Sequence, residues 1–267
     1  MMYKLLALDL DDTLLPTAAM ETPARNLAAI RRAQDAGIYV TIATGRGYKA
    51  AYPICKQLGV QGPVIHYGGA IIMDSRTDAP LHTTEVSNEL VQEALETARE
   101  LGIHAHIYQG DSIICEAPSE WGAWYSARLH VPCVIDKDMR TKQWRDVPKV
   151  LFITQPEAAQ KLIPVMQARF AGRLKVSGSS PGFIEFNHCG ANKGSALQWV
   201  AEHMGVKQGE VVAVGDNTLD AEMIEWAGLG CAVGNAQFAI KDIANLHLPN
   251  CDDMAIEYLI DRVLLKG

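Results

Sequence analysis

The stretch from Tyr3 to Thr13, which reads YKLLALDLDDT, decides the fold prediction. Its first part, Tyr3 to Leu8, is short and apolar, and the three carboxylates Asp9, Asp11 and Asp12 follow within four residues. A buried run that ends in an acidic turn is typical of a parallel strand at its carboxyl end. We therefore expect a parallel sheet with polar side chains gathered at one edge.

Strand and helix patterns alternate from this stretch up to Ile72. A helix is predicted over Pro23 to Ala36 with Thr22 as its cap, followed by a second strand over Ile38 to Ala43. A second helix over Gly47 to Leu58 and a third strand over Val64 to Ile72, interrupted by Gly68 and Gly69, complete the pattern. Such alternation indicates βαβ units, and ligands of these sheets bind at the carboxyl ends of the strands.

The middle of the chain has a different pattern. Strands predicted over Ile103 to Tyr108 and Ser112 to Glu116 flank a short glycine-containing turn, which implies antiparallel pairing. The βα alternation resumes in the last third of the chain. We therefore predict an α/β fold with a parallel-sheet core over residues 1–82 and 186–267 and an inserted α+β domain over residues 83–185.

Composition excludes several function classes. The 267 residues are 48% hydrophobic and 21% charged, as in globular proteins, and the formal net charge of −7 disfavours a broad basic surface for nucleic acid. No window approaches the ~18 unbroken apolar residues of a membrane span, and an export signal is missing. We expect a cytoplasmic protein without nucleic-acid or membrane partners, and the oligomeric state stays open.

The six cysteines are widely spaced along the chain. The sequence contains no CxxC pair, so a structural zinc site is disfavoured. Without an export signal, we expect the thiols to be reduced.

Two carboxylates at the end of the first strand are the first candidate site residues. Asp9 and Asp11 are two residues apart, so their side chains can point to one face. Carboxylates this close repel each other, and a cation such as magnesium would relieve the repulsion. A solvated acidic turn explains this motif, taken alone, equally well.

Other polar residues follow predicted strands or begin predicted helices. Asp216 follows a buried strand, and Asp220 falls in the first turn of the next helix, where capping is the simpler interpretation. Lys193 lies near a helix start, which the helix dipole disfavours unless an anion is present. Thr44 and Gly45 follow the second strand, where a hydroxyl and a backbone N–H can hold a phosphate oxygen. Together these groups fit phosphoryl transfer.

The chain resembles the haloacid dehalogenase (HAD) superfamily and, within it, the Cof-type phosphatases. Four motifs carry the resemblance: Asp9-Leu10-Asp11-Asp12-Thr13-Leu14, Thr44-Gly45-Arg46, Lys193-Gly194, and Gly215-Asp216 with Asp220. The resemblance implies a Rossmann-like core, a cap domain inserted between the second and third motifs, and Mg²⁺ as cofactor.

The resemblance also implies catalytic and metal-binding roles. Asp9 would be the nucleophile that forms an aspartyl-phosphate, and Asp11 would be first the general acid and then the base. Asp9, the backbone carbonyl of Asp11, and Asp216 would hold the metal. Lys193 would be a catalytic residue at the phosphate, and Asp220 would support Lys193 or the metal shell.

Substrate contacts are expected around the second and third motifs. The resemblance implies that Thr44 binds the phosphate together with Lys193. Gly45, Arg46 and Asn192 adjoin these residues in sequence, so we predict that they also contact the substrate. A surface arginine and an Asn at a helix start are the alternative interpretations of Arg46 and Asn192.

These observations predict a magnesium-dependent phosphomonoesterase that acts on a small phosphorylated metabolite. A sugar phosphate is the leading candidate, and flavin mononucleotide and pyridoxal phosphate are others. The alternatives are a phosphomutase, which would convert a phosphosugar into its positional isomer, and a non-catalytic sensor of a phosphorylated ligand. The presence of both Asp9 and Asp11 argues against the sensor, because binding alone needs no acid or base.

Three positions depart from the family pattern. Leu219 and Gly68 stand where the family usually has Asn, and Met254 stands where it usually has Gly. If Leu219 removes a hydrogen bond at the metal site, we expect a bound water to replace it, because Asn217 would lie about 200° away around a helix.

Overall fold

The structure is a computed structural model that describes residues 3–16 and 21–266. Its strands are β1 (Leu5–Leu8), β2 (Tyr39–Ile42), β3 (Pro63–His66), β4 (Ile71–Asp74), β5 (Ala79–Thr83), β6 (His104–Gln109), β7 (Ser112–Cys115), β8 (Cys133–Ile135), β9 (Lys149–Ile153), β10 (Leu174–Ser177), β11 (Phe183–His188), β12 (Val211–Gly215), β13 (Leu229–Ala232) and β14 (Leu246–His247). Its helices are α1 (Ala24–Asp35), α2 (Tyr48–Leu58), α3 (Asn88–Leu101), α4 (Glu120–Leu129), α5 (Pro156–Arg169), α6 (Lys193–His203), α7 (Ala221–Trp226), α8 (Phe238–Ile243) and α9 (Ala255–Leu259).

The chain divides into two compact units. The core unit comprises residues 1–46, 51–81 and 192–267, and the inserted unit comprises residues 47–50 and 82–191. Whether the inserted unit serves as a cap stays a prediction.

The core unit is built on a five-stranded parallel sheet in the order β14-β13-β12-β1-β2. Within this sheet β1 lies between β2 and β12, and Leu5 pairs with Tyr39 on one side and with Val211 on the other. Leu5, Leu6 and Leu8 are fully buried, and burying each such side chain stabilises the fold by roughly 1.5–3 kcal/mol. The predicted α/β fold with a parallel-sheet core is confirmed.

The predicted third strand, Val64 to Ile72, is wrong as a single strand, although the predicted interruption at Gly68 and Gly69 lies in the observed turn. The structure has two strands there, β3 and β4, which pair antiparallel from Pro63↔Asp74 to His66↔Ile71. Between them lies a 3₁₀ turn over Tyr67–Gly69, in which all three residues have positive φ. An extended strand cannot pass through that conformation, and two consecutive glycines permit it.

The start of α1 also differs from the prediction. Thr22 does not cap the helix; Pro23 takes the N-cap position, with φ −52° and ψ 135°, and provides no side-chain bond. The prediction missed four elements, β5, α4, β8 and β14, three of which are strands of five residues or fewer.

The inserted unit has a six-stranded sheet in the order β10-β11-β9-β6-β7-β8. The β6–β7 pairing is antiparallel, as the hairpin signal predicted, whereas β7 and β8 pair in parallel. Residues of α3 and α5 share a buried cluster with Ile107 of β6. Because side chains alternate along a strand, His106 and Tyr108 point to the other face, where both rings contact Tyr125 of α4.

Two general expectations concern thiols and membranes. All six cysteines are free. Among residues 3–16 and 21–266, no helix combines the length and the apolar character that crossing a membrane requires.

Candidate active site

Three predicted site residues lie at the carboxyl ends of adjacent strands. Asp9 directly follows β1, Thr44 lies two residues beyond β2, and Asp216 directly follows β12. Since β12, β1 and β2 are neighbours in the sheet, these side chains meet at one edge of the core unit.

A buried ammonium group joins two carboxylates at this edge. Lys193 Nζ donates to Asp9 Oδ1 and to Asp220 Oδ1, each at 2.5 Å. All three residues are at most 4% exposed. Lys193 is the first residue of α6, a position that the helix dipole disfavours for a cation, and the two carboxylates supply the compensating charge.

Asp220 is held in place through its second oxygen. Its Oδ2 accepts hydrogen bonds from the backbone N–H groups of Asp216, at 2.9 Å, and Asn217, at 3.1 Å. A side chain at Gly215 would collide with Asp220, so glycine is required there for this close approach. Asp220 therefore positions Lys193 and ties it to the loop that carries Asp216.

The site residues fit a divalent cation. Ligand atoms of Asp9, Asp216 and Asp220 all lie within 4.8 Å of one another, and three carboxylates face a single ammonium. Asp9 Oδ2 is buried and has no hydrogen-bond partner among the described residues. A buried carboxylate oxygen without a partner is costly, and a hard cation with oxygen ligands would satisfy it.

The pKa values in the cluster reflect burial and crowding of like charges. Burial, followed by the neighbouring charge of Asp220, raises the pKa of Asp9 well above its usual range. The same two causes raise the pKa of Asp216 to about 7. Burial acts to lower the pKa of Lys193, but Asp220 and Asp9 outweigh it and hold that pKa above its usual value. The cluster thus favours binding of a further positive charge.

Asp11 lies in a different environment from Asp9. Its side chain is 56% exposed and pairs with Arg46, whose Nε and Nη2 donate to the two carboxylate oxygens at 3.0 and 2.5 Å. The guanidinium holds Asp11 in one orientation and leaves it accessible to solvent, as a group that exchanges protons requires.

The remaining predicted substrate contacts have structural roles in this chain. Thr44 is fully buried, and its Oγ1 accepts a hydrogen bond from the backbone N–H of Arg46 at 3.0 Å. Gly45 is the residue between them. Asn192 is the N-cap of α6, and its Oδ1 accepts from the N–H of Ser195 at 2.8 Å. Their contact with a substrate stays a prediction.

Two polar residues beside Asp216 were not predicted to bond to it. Thr13 Oγ1 and Asn217 Nδ2 donate to Asp216 Oδ1 at 3.2 and 3.0 Å. The argument that Asn217 would point away was wrong, because Asn217 is the N-cap of a 3₁₀ turn with an extended backbone. Asn217 therefore donates directly to the Asp216 carboxylate, and the replacement of the Leu219 bond by water stays a prediction.

The other two departures from the family pattern are backbone positions. Gly68 has φ 66° and ψ 24°, a left-handed conformation that both Gly and Asn adopt readily. Met254 has φ 59° and ψ 47°, so a side chain occupies a conformation that favours glycine. The first exchange is neutral for the backbone, whereas the second strains it.

Comparison with known proteins gives the family. The sequence profile of the haloacid dehalogenase-like hydrolases matches residues 6–260. The chain therefore belongs to the haloacid dehalogenase-like hydrolase family, and it is a phosphatase of that family. The predicted membership and enzyme class are confirmed.

Similar proteins are aligned over nearly the whole chain. The sequence is 30% identical to HMP-PP phosphatase of Serratia proteamaculans (strain 568), over 98% of this chain and 96% of the relative. It is 28% identical to 5-amino-6-(5-phospho-D-ribitylamino)uracil phosphatase YitU of Bacillus subtilis (strain 168), over 90% of each. The crystal structure of a haloacid dehalogenase-like hydrolase from Bacteroides thetaiotaomicron superposes with a TM-score of 0.86 at 28% identity, covering 98% of this chain and 99% of that one.

Proposed function

We propose that this protein is a magnesium-dependent phosphomonoesterase that hydrolyses a small phosphorylated metabolite through an aspartyl-phosphate on Asp9. The observation that carries the proposal is the state of the Asp9 carboxylate. Lys193 holds one of its oxygens, and the other is buried at the carboxyl end of β1 without a hydrogen-bond partner among the described residues.

The first step forms the covalent intermediate. A carboxylate oxygen of Asp9 attacks phosphorus, and the bond from phosphorus to the ester oxygen of the substrate breaks. Asp11, in its protonated form, transfers its proton to the departing alkoxide and becomes a carboxylate. The pair with Arg46 has to open before Asp11 takes up that proton, because both carboxylate oxygens accept from the guanidinium.

The second step releases phosphate. The Asp11 carboxylate accepts a proton from water while the water oxygen bonds to phosphorus. The bond from phosphorus to Asp9 then breaks and restores the free carboxylate. The same residue thus serves as acid and as base, which returns the enzyme to its starting protonation state.

Positive charge in the site has to balance the phosphate. Lys193 supplies one positive charge. Thr44 and Gly45 follow the second strand, and the hydroxyl of Thr44 and the N–H of Gly45 would bind phosphate oxygens. Asp9, the carbonyl of Asp11, and Asp216 would hold Mg²⁺, which would neutralise charge on the transferring phosphoryl group. Asp220 keeps the Lys193 ammonium directed at Asp9.

For the substrate we propose a sugar phosphate, and we propose that the inserted unit is a cap that selects it. The two similar phosphatases are named for HMP-PP and for 5-amino-6-(5-phospho-D-ribitylamino)uracil, and these names support a small phosphorylated metabolite. The free cysteines support a reducing compartment, and the cytoplasmic location stays a prediction.

A substrate screen with Mg²⁺ tests this function. The compounds are sugar phosphates, the two metabolites named above, flavin mononucleotide and pyridoxal phosphate, and the readouts are free phosphate and sugar-phosphate isomers. We expect free phosphate from at least one sugar phosphate, and none when EDTA is in excess. Isomers without free phosphate would identify a mutase, and ligand binding without turnover would identify a sensor; either result would refute the proposal.

A further inference from the structure

The inserted unit contains a second cluster of potential ligands, composed of nitrogen and sulfur atoms. Ligand atoms of His104, His106 and Cys115 lie within 4.8 Å of one another. His106 and Cys115 are at most 1% exposed, and His104 is half-buried. This cluster has no place in the proposed phosphatase mechanism, which uses residues of the core unit.

Strand register brings the three residues together. His104 and His106 are two residues apart on β6, so their side chains share a face. The pairs of β6 and β7 run from Gln109↔Ser112 to Ile107↔Ile114, and His106 and Cys115 are the next residues along the two strands. Side chains of facing residues in an antiparallel pair lie side by side.

The hydrogen bonds of the two histidines leave one ring nitrogen unsatisfied. His104 Nδ1 bonds to Ser119 Oγ at 2.9 Å, and its Nε2 lies 3.0 Å from His106 Nδ1. His106 Nε2 is buried and has no hydrogen-bond partner among the described residues. Burying an unpaired ring nitrogen costs free energy, and buried polar atoms are nearly always paired, so His106 Nε2 suggests a bound ligand.

Helix α4 packs closely against the cluster at Gly122. A Cβ at Gly122 would lie 3.1 Å from Cys115 Sγ, 3.1 Å from Ser119 Oγ and 3.4 Å from a ring carbon of His104. Any larger residue at this position would crowd all three groups. A second sulfur, Cys133 Sγ, lies 3.5 Å from Cys115 Sγ.

We propose that the inserted unit binds a zinc ion through His104, His106, Cys115 and Cys133. Imidazole nitrogen and thiolate sulfur are the ligands of structural zinc, and with bonds of about 2.0–2.3 Å the ligand atoms of one tetrahedral ion stand roughly 3–4 Å apart. His104, His106 and Cys115, whose ligand atoms lie within 4.8 Å of one another, have to draw closer together to reach that geometry. Cys133, whose Sγ lies 3.5 Å from Cys115 Sγ, would have to turn toward the histidines to complete it. Ser119 acts as the outer partner that fixes the orientation of His104.

The acidic cluster of the core unit offers oxygen ligands only, so a thiolate signal distinguishes the two sites. The experiment titrates the full-length protein with Co²⁺ in the presence of excess Mg²⁺ and follows the thiolate-to-cobalt charge-transfer absorption. We expect this absorption to saturate at one equivalent, and equimolar Zn²⁺ to abolish it, because thiolate ligands prefer zinc to cobalt.

Single substitutions identify the ligands. Cys115→Ser and Cys133→Ser each reduce the absorption by about half, since each thiolate contributes. His104→Gln retains the thiolate absorption but weakens Co²⁺ binding by at least about 10- to 100-fold, the loss typical of a disturbed metal site. The matched control is Cys189→Ser, which removes the exposed thiol and keeps the full signal.

Several results would overturn the proposal. Folded wild-type protein without thiolate absorption at one equivalent has no such site. Undiminished absorption in folded Cys115→Ser, or loss of absorption in Cys189→Ser, assigns the metal to another thiol. If Cys115→Ser does not fold, an unchanged Co²⁺ affinity in the His104→Gln variant contradicts the proposal instead.

Discussion

The two buried polar clusters differ in charge, in donor chemistry and in the secondary structure that forms them. In the core unit, Lys193 bridges Asp9 and Asp220 at the ends of parallel strands. In the inserted unit, His106 and Cys115 come together across an antiparallel hairpin, and hydrogen bonds join His104 to His106 and to Ser119. Oxygen ligands suit Mg²⁺, and nitrogen and sulfur suit zinc, so one chain can keep two metals apart by ligand type.

The largest expected effect separates the two clusters by function. Asp9→Asn keeps the shape of the side chain but removes the attacking charge, so kcat should fall by more than about a thousandfold. The rate of phosphate release at saturating substrate measures kcat. The thiolate-to-cobalt absorption of Asp9→Asn should equal that of the wild-type protein. Asp35→Asn, the same change at an exposed carboxylate, is the control. Turnover near the wild-type rate in Asp9→Asn would remove the nucleophile assignment.

The next effect tests the role of the exposed carboxylate. Asp11→Asn should lower kcat by about a hundred- to ten-thousandfold with a modest change in KM, because it removes proton transfer. The loss should be smaller with p-nitrophenyl phosphate, whose leaving group hardly needs a proton. Equal losses with p-nitrophenyl phosphate and with an alkyl phosphate would show that Asp11 serves another purpose.

A smaller effect concerns the partners of Asp216. Asn217→Ala removes the donor to Asp216 Oδ1 and should raise the Mg²⁺ concentration needed for activation by about 10- to 100-fold. Leu219→Asn is the comparison variant, and we expect it to leave activation unchanged because Asn217 already makes the bond. Tighter activation in Leu219→Asn would mean that leucine loosens the metal site after all.

The smallest expected effect comes from a substitution outside both clusters, which serves as a baseline for comparing the two metal responses. Met254→Gly relieves a left-handed backbone strained by about 1–2 kcal/mol and loses roughly half of that gain to the greater freedom of glycine when unfolded. Thermal unfolding should shift upward by about 2 °C. Neither metal response should change, and a lower unfolding temperature would show that the Met254 side chain contributes packing that outweighs the strain.

The sequence was sufficient to predict the acidic cluster because its residues follow predicted strands of a parallel sheet. The ends of such strands converge whatever their exact bounds, so Asp9, Thr44 and Asp216 could be placed together before the structure was available. The pairing of Arg46 with Asp11 could not be predicted in this way, because it depends on side-chain direction rather than on strand order.

The nitrogen–sulfur cluster shows what sequence patterns miss. The absence of CxxC argued against zinc, but the proposed donors come from three strands, β6, β7 and β8, and depend on their register. A shift of one residue in the β6–β7 register would move Cys115 away from His106. Helix α4 also escaped prediction, because its sequence EWGAWYSARL contains a glycine and only two buried residues, Gly122 and Tyr125.

Chemical trapping of the intermediate tests the central claim most directly. Enzyme turning over p-nitrophenyl phosphate is quenched in acid and reduced with borohydride, which converts an aspartyl-phosphate into homoserine, and the peptides are sequenced by mass spectrometry. The account predicts homoserine at position 9 in the wild-type protein and in Asp11→Asn, and none in Asp9→Asn. Homoserine at any other aspartate, or continued hydrolysis with position 9 unmodified, would contradict it.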